Sequence, residues 1–379
     1  MDMKITEIEV IELRAPGFDA SYYDSSWSTC VIRIHTDSGI SGISEVDSVP
    51  SVVRAIIEAD TYHSQAIGLK SALLGQDPLN VEGLWDRMYQ ETYLYGRRGA
   101  VIHTISGIDI ALWDIRAKVA GKTVSSLLGG SSRRTKIKAY GTVYPLGRTH
   151  GEILQHLDNA LQRGLRAFKI CAEPIWQEEP DAVSDIIQTV RSHIGPEADL
   201  MVDGVAVWQD AKDVLSLMPL LREQRVGWLE APLPLENLDG YRCLQGHGIP
   251  IGGGDLGMTT RYEFADMLHR GKADILQPDI TMAGGFSEVM RISHMANDAG
   301  RRVIPHGYKT NILNAINLNF LSQHWVEEML EYSLSPSPLL ADLTLETFPL
   351  DENGMVSVPS GPGLGVTLNQ DALRTYQIA

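Results

Sequence analysis

The apolar positions keep one rhythm over the first third of the chain and another from about residue 136 onward. "KITEIEVIEL" alternates apolar and polar residues, the period of a half-buried strand. "CVIRIHTDSGISGISEV" reads as two strands joined through the turn-forming cluster Asp37-Ser38-Gly39. Helical spacing follows. Asp77-Pro78 is a cap and first-turn pair ahead of "NVEGLWDRMY", and a longer helix runs through "VIHTISGIDIALWDIRAKVAGK", with Gly121 placed to stop it.

The second rhythm is a short apolar run ending in a polar residue, then a helical stretch. The runs are "IKAYGTVY", "RAFKIC", "ADLMVDG", "GWLEAP", "IPIGGGD", "DILQPD", "RVIPHG" and "EMLEYS". Segments such as "PDAVSDIIQTVRSHI" and "DAKDVLSLMPLLREQ" supply the helices between them. The series predicts the eight parallel strands of a β/α barrel. The Gly-rich "SGPGLGVTL" near the end predicts an irregular tail.

Polar side chains stand where those strands should end: Lys169, Asp203, Glu230, Asp255, Asp279, His306 and Glu331. From Asp203 onward they recur roughly every 25 residues, about one βα unit. C-terminal strand ends converge on one mouth, where barrel active sites lie. Taken singly, each acid fits an ordinary solvated strand end. Together, Asp203, Glu230 and Asp255 offer oxygen ligands suited to a hard cation such as Mg²⁺. Without a cation, three converging carboxylates would resist full ionisation. Asp279 beside His306 would fix the imidazole tautomer and raise its basicity, which makes His306 a candidate general base. Glu331 would offer a proton or hydrogen bond to a developing oxyanion if its surroundings keep it protonated.

Composition narrows the partners. With 44% hydrophobic and 21% charged residues the chain reads as an ordinary globular protein. A formal charge of -16 argues against nucleic acid and against anionic membranes. It does not exclude a small carboxylate substrate, because a bound cation dominates its local field. No segment approaches the roughly 20 apolar residues of a membrane span. "MDMKITEIEV" shows no signal-peptide pattern. Cys30, Cys171 and Cys243 are scattered and form no disulfide framework, so a reducing cytoplasm is expected.

These pieces, in this order, resemble the enolase superfamily, in particular its mandelate racemase subgroup. "ALWDIRAKVAGKTVSSLLGG" is similar to the segment joining cap to barrel. "MVDG", "WLEAPLP" and "GGGD" resemble the three metal-ligand strands, "ILQPDITMAGG" and "VIPHG" the Asp–His dyad, and "LEY" the last-strand glutamate. The resemblance implies a modified (β/α)7β barrel with an α+β N-terminal capping domain, completed by the C-terminal tail. The corresponding boundaries are 1–130 for the cap, 131–355 for the barrel and 356–379 for the tail. It implies one Mg²⁺ per subunit, removal of a proton α to a carboxylate, and a homo-oligomer. It also places cap loops over the substrate, near "GFDASYYDSSWST" and "SEVDSVPS". Tyr22, Tyr23, Asp24, Trp27 and Asp47 are the contact candidates there, with Tyr95, Arg97 and Arg98 as further ones.

Three positions depart from the pattern. In "RAFKICAEP" the second lysine of a Lys-x-Lys pair is Cys171. Residues two apart on an unbulged strand face the same way, so Cys171 should share the mouth with Lys169 as a small buried group. Lys169 would then help neutralise developing negative charge. Val205 stands where an asparagine is usual, and Asp255 where a glutamate is usual. One base on the His306 side suits elimination of the 3-hydroxyl of an aldonate or aldarate, giving a 2-keto-3-deoxy acid. A racemase, epimerase or cycloisomerase, with Cys171 at the substrate or another group as the second acid, is the nearest rival, and a non-catalytic binding protein the more distant one.

Overall fold

The computed structural model describes residues 3–20, 24–130, 134–143, 149–172, 176, 179–255, 257–323 and 327–378. Strands β1 (Ile5–Arg14), β2 (Ser28–Thr36) and β3 (Ser41–Val46) form an antiparallel sheet in that order. Helices α1 (Pro50–Glu58), α2 (Leu69–Leu73), α3 (Val81–Glu91), α4 (Ala100–Val119) and α5 (Val124–Leu127) complete the cap. Helix α4 is buried on nearly every side, between the cap sheet and the barrel. Small residues permit this approach. A Cβ on Gly42 would stand 2.0 Å from the Ala111 carbonyl oxygen, and one on Gly107 would stand 2.4 Å from the Val46 side chain.

The barrel strands are β4 (Lys136–Val143), β5 (Ala167–Cys171), β6 (Asp199–Asp203), β7 (Val226–Glu230), β8 (Ile251–Gly253), β9 (Ile275–Leu276), β10 (Arg302–Val303) and β11 (Leu330–Ser333). They are mutually parallel in the order β10-β9-β8-β7-β6-β5-β4-β11. Helices α6 (His150–Gln162), α7 (Pro180–Ile194), α8 (Ala211–Glu223), α9 (Leu238–Cys243), α10 (Thr260–Asp266), α11 (Gly285–Asp298) and α12 (Asn311–Leu321) alternate with them. This is the (β/α)7β pattern expected from the sequence. Among the described residues no ladder joins β10 to β11. The seam is bridged by Gly307 N–H donating to Glu331 Oε2 at 3.0 Å and by an Arg302–Glu328 ion pair at 2.6 Å.

Strands β8, β9 and β10 are shorter than the apolar runs that encode them. Pro250, Pro278 and Pro305 flank them and carry no N–H for a ladder. After a short helix α13 (Pro338–Asp342), β12 (Met355–Ser357) pairs antiparallel with the start of β4. The tail then returns to the cap. Leu364 N–H donates to Asp114 Oδ1 at 2.8 Å, and beyond α14 (Gln370–Tyr376) Ile378 N–H donates to Glu12 O at 2.9 Å. Among the described residues no helix is long and apolar enough to cross a membrane.

The barrel interior is layered with the period of the strand. Tyr140, Ala167, Met201, Trp228, Ile275 and Ile304 form an apolar plug, with Met329 packed against it. Two residues further along each chain stand Thr142, Lys169, Asp203, Glu230, Gln277, His306 and Glu331. The same inward face thus passes from apolar to polar or charged in one step of two residues. The plug excludes water from below and forces the polar layer to find partners within itself.

Candidate active site

Lys169 is the hub of that polar layer and is almost completely buried. Its Nζ contacts Glu230 Oε1 directly, and lies 3.0 Å from Glu331 Oε1 and 3.3 Å from Asp203 Oδ2. Burial works against the ammonium, but the Glu230 and Glu331 charges outweigh it and hold its pKa well above the usual lysine value. Strand β5 pairs with β4 and β6 without a register break, so Lys169 and Cys171 do share a face. Cys171 Sγ lies 3.6 Å from Asp203 Oδ2. Burial, then the Asp203 charge, raise the thiol well above its ordinary pKa.

Asp203, Glu230 and Asp255 each offer an oxygen within 4.8 Å of the others. Trp228 Nε1 donates to Glu230 Oε2 at 3.0 Å and Gln277 Nε2 to the same oxygen at 2.5 Å, so the carboxylate is fixed. Val205 N–H donates to Asp203 Oδ1 at 2.9 Å. The backbone after these acids is strained: Val205, Ala206 and Ala231 have φ of 45°, 53° and 35°. Asp255 Oδ1 is buried with no hydrogen-bond partner. Burial, then the Glu230 and Asp203 charges, push the Asp255 pKa well above the carboxylate range. Three converging acids with an orphaned buried oxygen and no competing donor for it fit a hard divalent cation.

Across the mouth, His306 Nδ1 lies 2.9 Å from Asp279 Oδ2. The other Asp279 oxygen accepts from Thr281 N–H at 2.7 Å and Thr281 Oγ1 at 2.6 Å. Burial opposes the imidazolium, but the Asp279 hydrogen bond and the Glu331 and Asp279 charges prevail, raising the His306 pKa to about 10. Glu331 corrects one expectation. Burial would protonate it, yet Lys169, His306, the Thr142 hydroxyl at 2.5 Å and Gly307 N–H together lower its pKa to about 2. It is a carboxylate that accepts hydrogen bonds, so it has no proton to offer an oxyanion.

The cap candidates divide. Asp47 is buried at the end of β3; one of its oxygens lies within 4.8 Å of ligating atoms of both Asp279 and His306. Asp24 is taken up by local structure: its carboxylate caps the turn at Ser26 N–H, accepts from Trp27 Nε1 at 3.2 Å, and accepts from Ser335 Oγ at 2.6 Å. Trp27 is thereby pinned to Asp24. Tyr95 donates to Ile67 O, Arg97 stacks over Tyr93 and Arg98 pairs with Glu263, all within the cap and its neighbouring helix. Tyr22 and Tyr23 lie outside the described residues. Sequence reasoning passed over Thr142, Trp228, Gln277, Thr281 and Lys309. The first three stand at or below the polar layer on strands or strand ends already identified, and counting inward positions by two finds Thr142 and Gln277.

Two family models cover almost the whole chain. "Mandelate racemase / muconate lactonizing enzyme, N-terminal domain" matches residues 9–129, and "Enolase C-terminal domain-like" matches residues 152–372. The D-galactarolactone cycloisomerase of Agrobacterium fabrum is 31% identical over 99% of both chains. The arabinonate dehydratase of Saccharolobus solfataricus is 30% identical over 82% of this chain and 81% of its own. The crystal structure of the 3,6-anhydro-D-galactonate cycloisomerase from Zobellia galactanivorans superposes with a TM-score of 0.87 at 28% identity, over 99% of this chain and 100% of that one. With its cap and barrel both matched, and its carboxylate triad opposite an Asp–His dyad, this chain belongs to the mandelate racemase/muconate lactonizing enzyme family of the enolase superfamily.

Proposed function

We propose that the protein is an acid-sugar dehydratase that removes the proton α to a carboxylate and expels the β-hydroxyl. The observation that carries this reading is the asymmetry of the mouth. One side holds the His306–Asp279 dyad. The other holds a neutral buried thiol at Cys171 and a lysine committed to three carboxylates. A stereocentre is inverted with a proton carrier on each face; elimination needs only one.

Asp203, Glu230 and Asp255 would hold Mg²⁺, which when bound supplies Lewis-acid stabilisation of charge developing on the substrate carboxylate. Asp279 holds Nδ1–H, so the neutral form of His306, which a cation in the neighbouring triad would favour over the charged form of the metal-free protein, has Nε2 free to take the α-proton. Lys169 presents a permanent positive charge, oriented by Glu331, beside the growing negative charge. The C–H electron pair becomes the new C=C bond and the β C–O bond breaks. His306 returns its proton to the departing oxygen, so water leaves when that oxygen lies on the same face. The resulting enol tautomerises to a 2-keto-3-deoxy acid. Asp47, at the cap edge of the dyad, would accept a hydrogen bond from a substrate hydroxyl.

A second reading rests on the cycloisomerase relative aligned over 99% of both chains. If the β-oxygen belongs to a ring, the same bond changes open the ring and the product is an isomer. Proton NMR and mass spectrometry in D₂O with Mg²⁺, over aldonic and aldaric acids and their lactones, separate the readings. A keto-deoxy product lighter by one water supports dehydration. A keto-deoxy product of unchanged elemental composition supports ring opening. Deuterium entry with inversion and no C–O cleavage would sink both.

A further inference from the structure

A chain of hydrogen bonds runs from the dyad into the cap, and the mechanism above uses Asp279 and Asp47 but not the Thr281 and Lys309 links that tie them together. Asp279 Oδ1, the oxygen turned away from His306, accepts from the hydroxyl of Thr281 at 2.6 Å. The same hydroxyl oxygen accepts from the backbone N–H of Asp47 at 3.0 Å, across 234 residues of sequence. Asp47 Oδ1 lies 3.3 Å from Lys309 Nζ. Lys309 donates onward to the carbonyl oxygens of Ser25 and Ser28, at 3.1 and 3.0 Å. Ser25–Trp27 is the turn that Asp24 caps, and Ser28 begins β2. Lys309 also follows His306 by three residues, so the path closes on itself through the backbone.

The chemistry of each link is specific. A hydroxyl can donate once and accept at the same time, which is what Thr281 does. Lys309 is 2% exposed, and a lysine so buried persists only where charge and carbonyl oxygens compensate it. Among the described residues its partners come from the cap: Asp47 at the end of β3 and the two carbonyls before and at the start of β2. The barrel loop that carries the base therefore also carries the cation that holds both cap segments.

We propose that Thr281 and Lys309 are positioning residues for His306, fixing its tautomer and orientation through Asp279 and Asp47 when the cap is seated. This rests on the reading of His306 as the base, but not on the identity of the substrate. A substrate that engages Asp47 would then act on the base and the lid together.

The test reads His306 directly. In ¹⁵N-labelled, metal-free protein, ring ¹H–¹⁵N correlations give the tautomer and the titration midpoint, assigned by loss in His306→Asn. Thr281→Val and Lys309→Met are compared with the conservative Thr281→Ser. Ser287→Ala is the control, because it removes the Trp113 Nε1 contact at 2.9 Å, a cap–barrel hydrogen bond outside the chain. The other charges facing His306 are Glu331, Lys169 and Asp255, and all variants keep them. Thr281→Val and Lys309→Met are expected to mix the tautomers and move the midpoint by about half a unit, a threefold change in the protonation equilibrium. Thr281→Ser and Ser287→Ala should leave both unchanged. With a substrate in hand, Thr281→Val should lower kcat about 10- to 100-fold with a smaller change in KM.

An unchanged His306 spectrum in Thr281→Val and Lys309→Met, or an equal response to Ser287→Ala, would overturn the proposal. If Lys309→Met does not fold, Thr281→Val against Thr281→Ser still decides. A screen without turnover would count against the acid-sugar reading alone, since the spectrum needs no substrate.

Discussion

The Cys171 thiol lies 3.6 Å from Asp203 Oδ2, on the face of β5 that also presents Lys169. The sulfur donates toward a member of the carboxylate triad, and burial holds it protonated. A thiolate there would add a fourth negative charge to Asp203, Glu230 and Glu331. Cys171→Ala should therefore keep kcat within about threefold of the parent, well short of the 10²- to 10⁴-fold a general base contributes. His306→Asn should show that larger loss. Steady-state rates on the identified substrate check both, and a collapse of Cys171→Ala to the level of His306→Asn would mean that the reaction uses two faces.

The dyad also gives a pH dependence of stability in the metal-free protein. His306 has its pKa raised from 6.5 to about 10, chiefly through Asp279 once burial is overcome. A raised pKa means that the folded state binds the proton more tightly than the unfolded one. The contribution is complete below pH 6.5 and disappears as pH rises through about 10. Glu331 behaves in the opposite sense. Its pKa falls from 4.5 to about 2, so its contribution is complete above 4.5 and fades as pH drops through about 2. Thermal melts of parent and His306→Asn should converge between pH 6.5 and 10, and those of parent and Glu331→Gln should converge under acid. Parallel curves over those windows would contradict the assigned charges.

Asp255 makes the cation testable without turnover. In the metal-free protein its acid form is favoured by burial and by Glu230 and Asp203, and Asp255→Asn imitates that neutral form. The variant should therefore melt no lower than the parent without metal. The parent should gain stability with Mg²⁺, about 2.7 kcal/mol at a hundredfold excess over Kd, while Asp255→Asn should lose most of that gain. Differential scanning calorimetry with and without EDTA measures both. An equal Mg²⁺ response in the two proteins would place the cation elsewhere.

The barrel was legible because its strands are buried on both faces, and such strands must be apolar until the mouth. That contrast exposed Lys169, Asp203, Glu230, Asp255, Asp279, His306 and Glu331 without any knowledge of tertiary contacts. Their charge states were less legible. Whether Glu331 keeps a proton depends on Thr142, Gly307 and Lys169, which only strand closure brings together. The cap was legible as strands and helices, but its contacts with the barrel were not. Asp24 reads as a substrate contact, and nothing in the sequence signals that its carboxylate also accepts from Ser26, Trp27 and Ser335, the last 311 residues away. No periodicity encodes Thr281 or Lys309, because their partners belong to loops whose course is set by docking of cap on barrel.

Gly252 gives a last prediction, from space rather than charge. It pairs with Glu230 in the ladder between β7 and β8, and its missing side chain leaves room for Gln277. A Cβ at Gly252 would stand 2.0 Å from Gln277 Oε1. The displaced amide could no longer reach Glu230 Oε2, where its Nε2 now sits at 2.5 Å. Gly252→Ala should therefore cost about 1–3 kcal/mol by overpacking and also weaken Mg²⁺ binding, because a triad oxygen loses its restraint. Gln277→Ala should weaken Mg²⁺ binding without the overpacking, and the double variant Gly252→Ala/Gln277→Ala should recover stability but not affinity. Calorimetric titration with Mg²⁺ beside thermal melts separates the two effects. Recovery of affinity in the double variant would show that Gln277 has no part in holding Glu230.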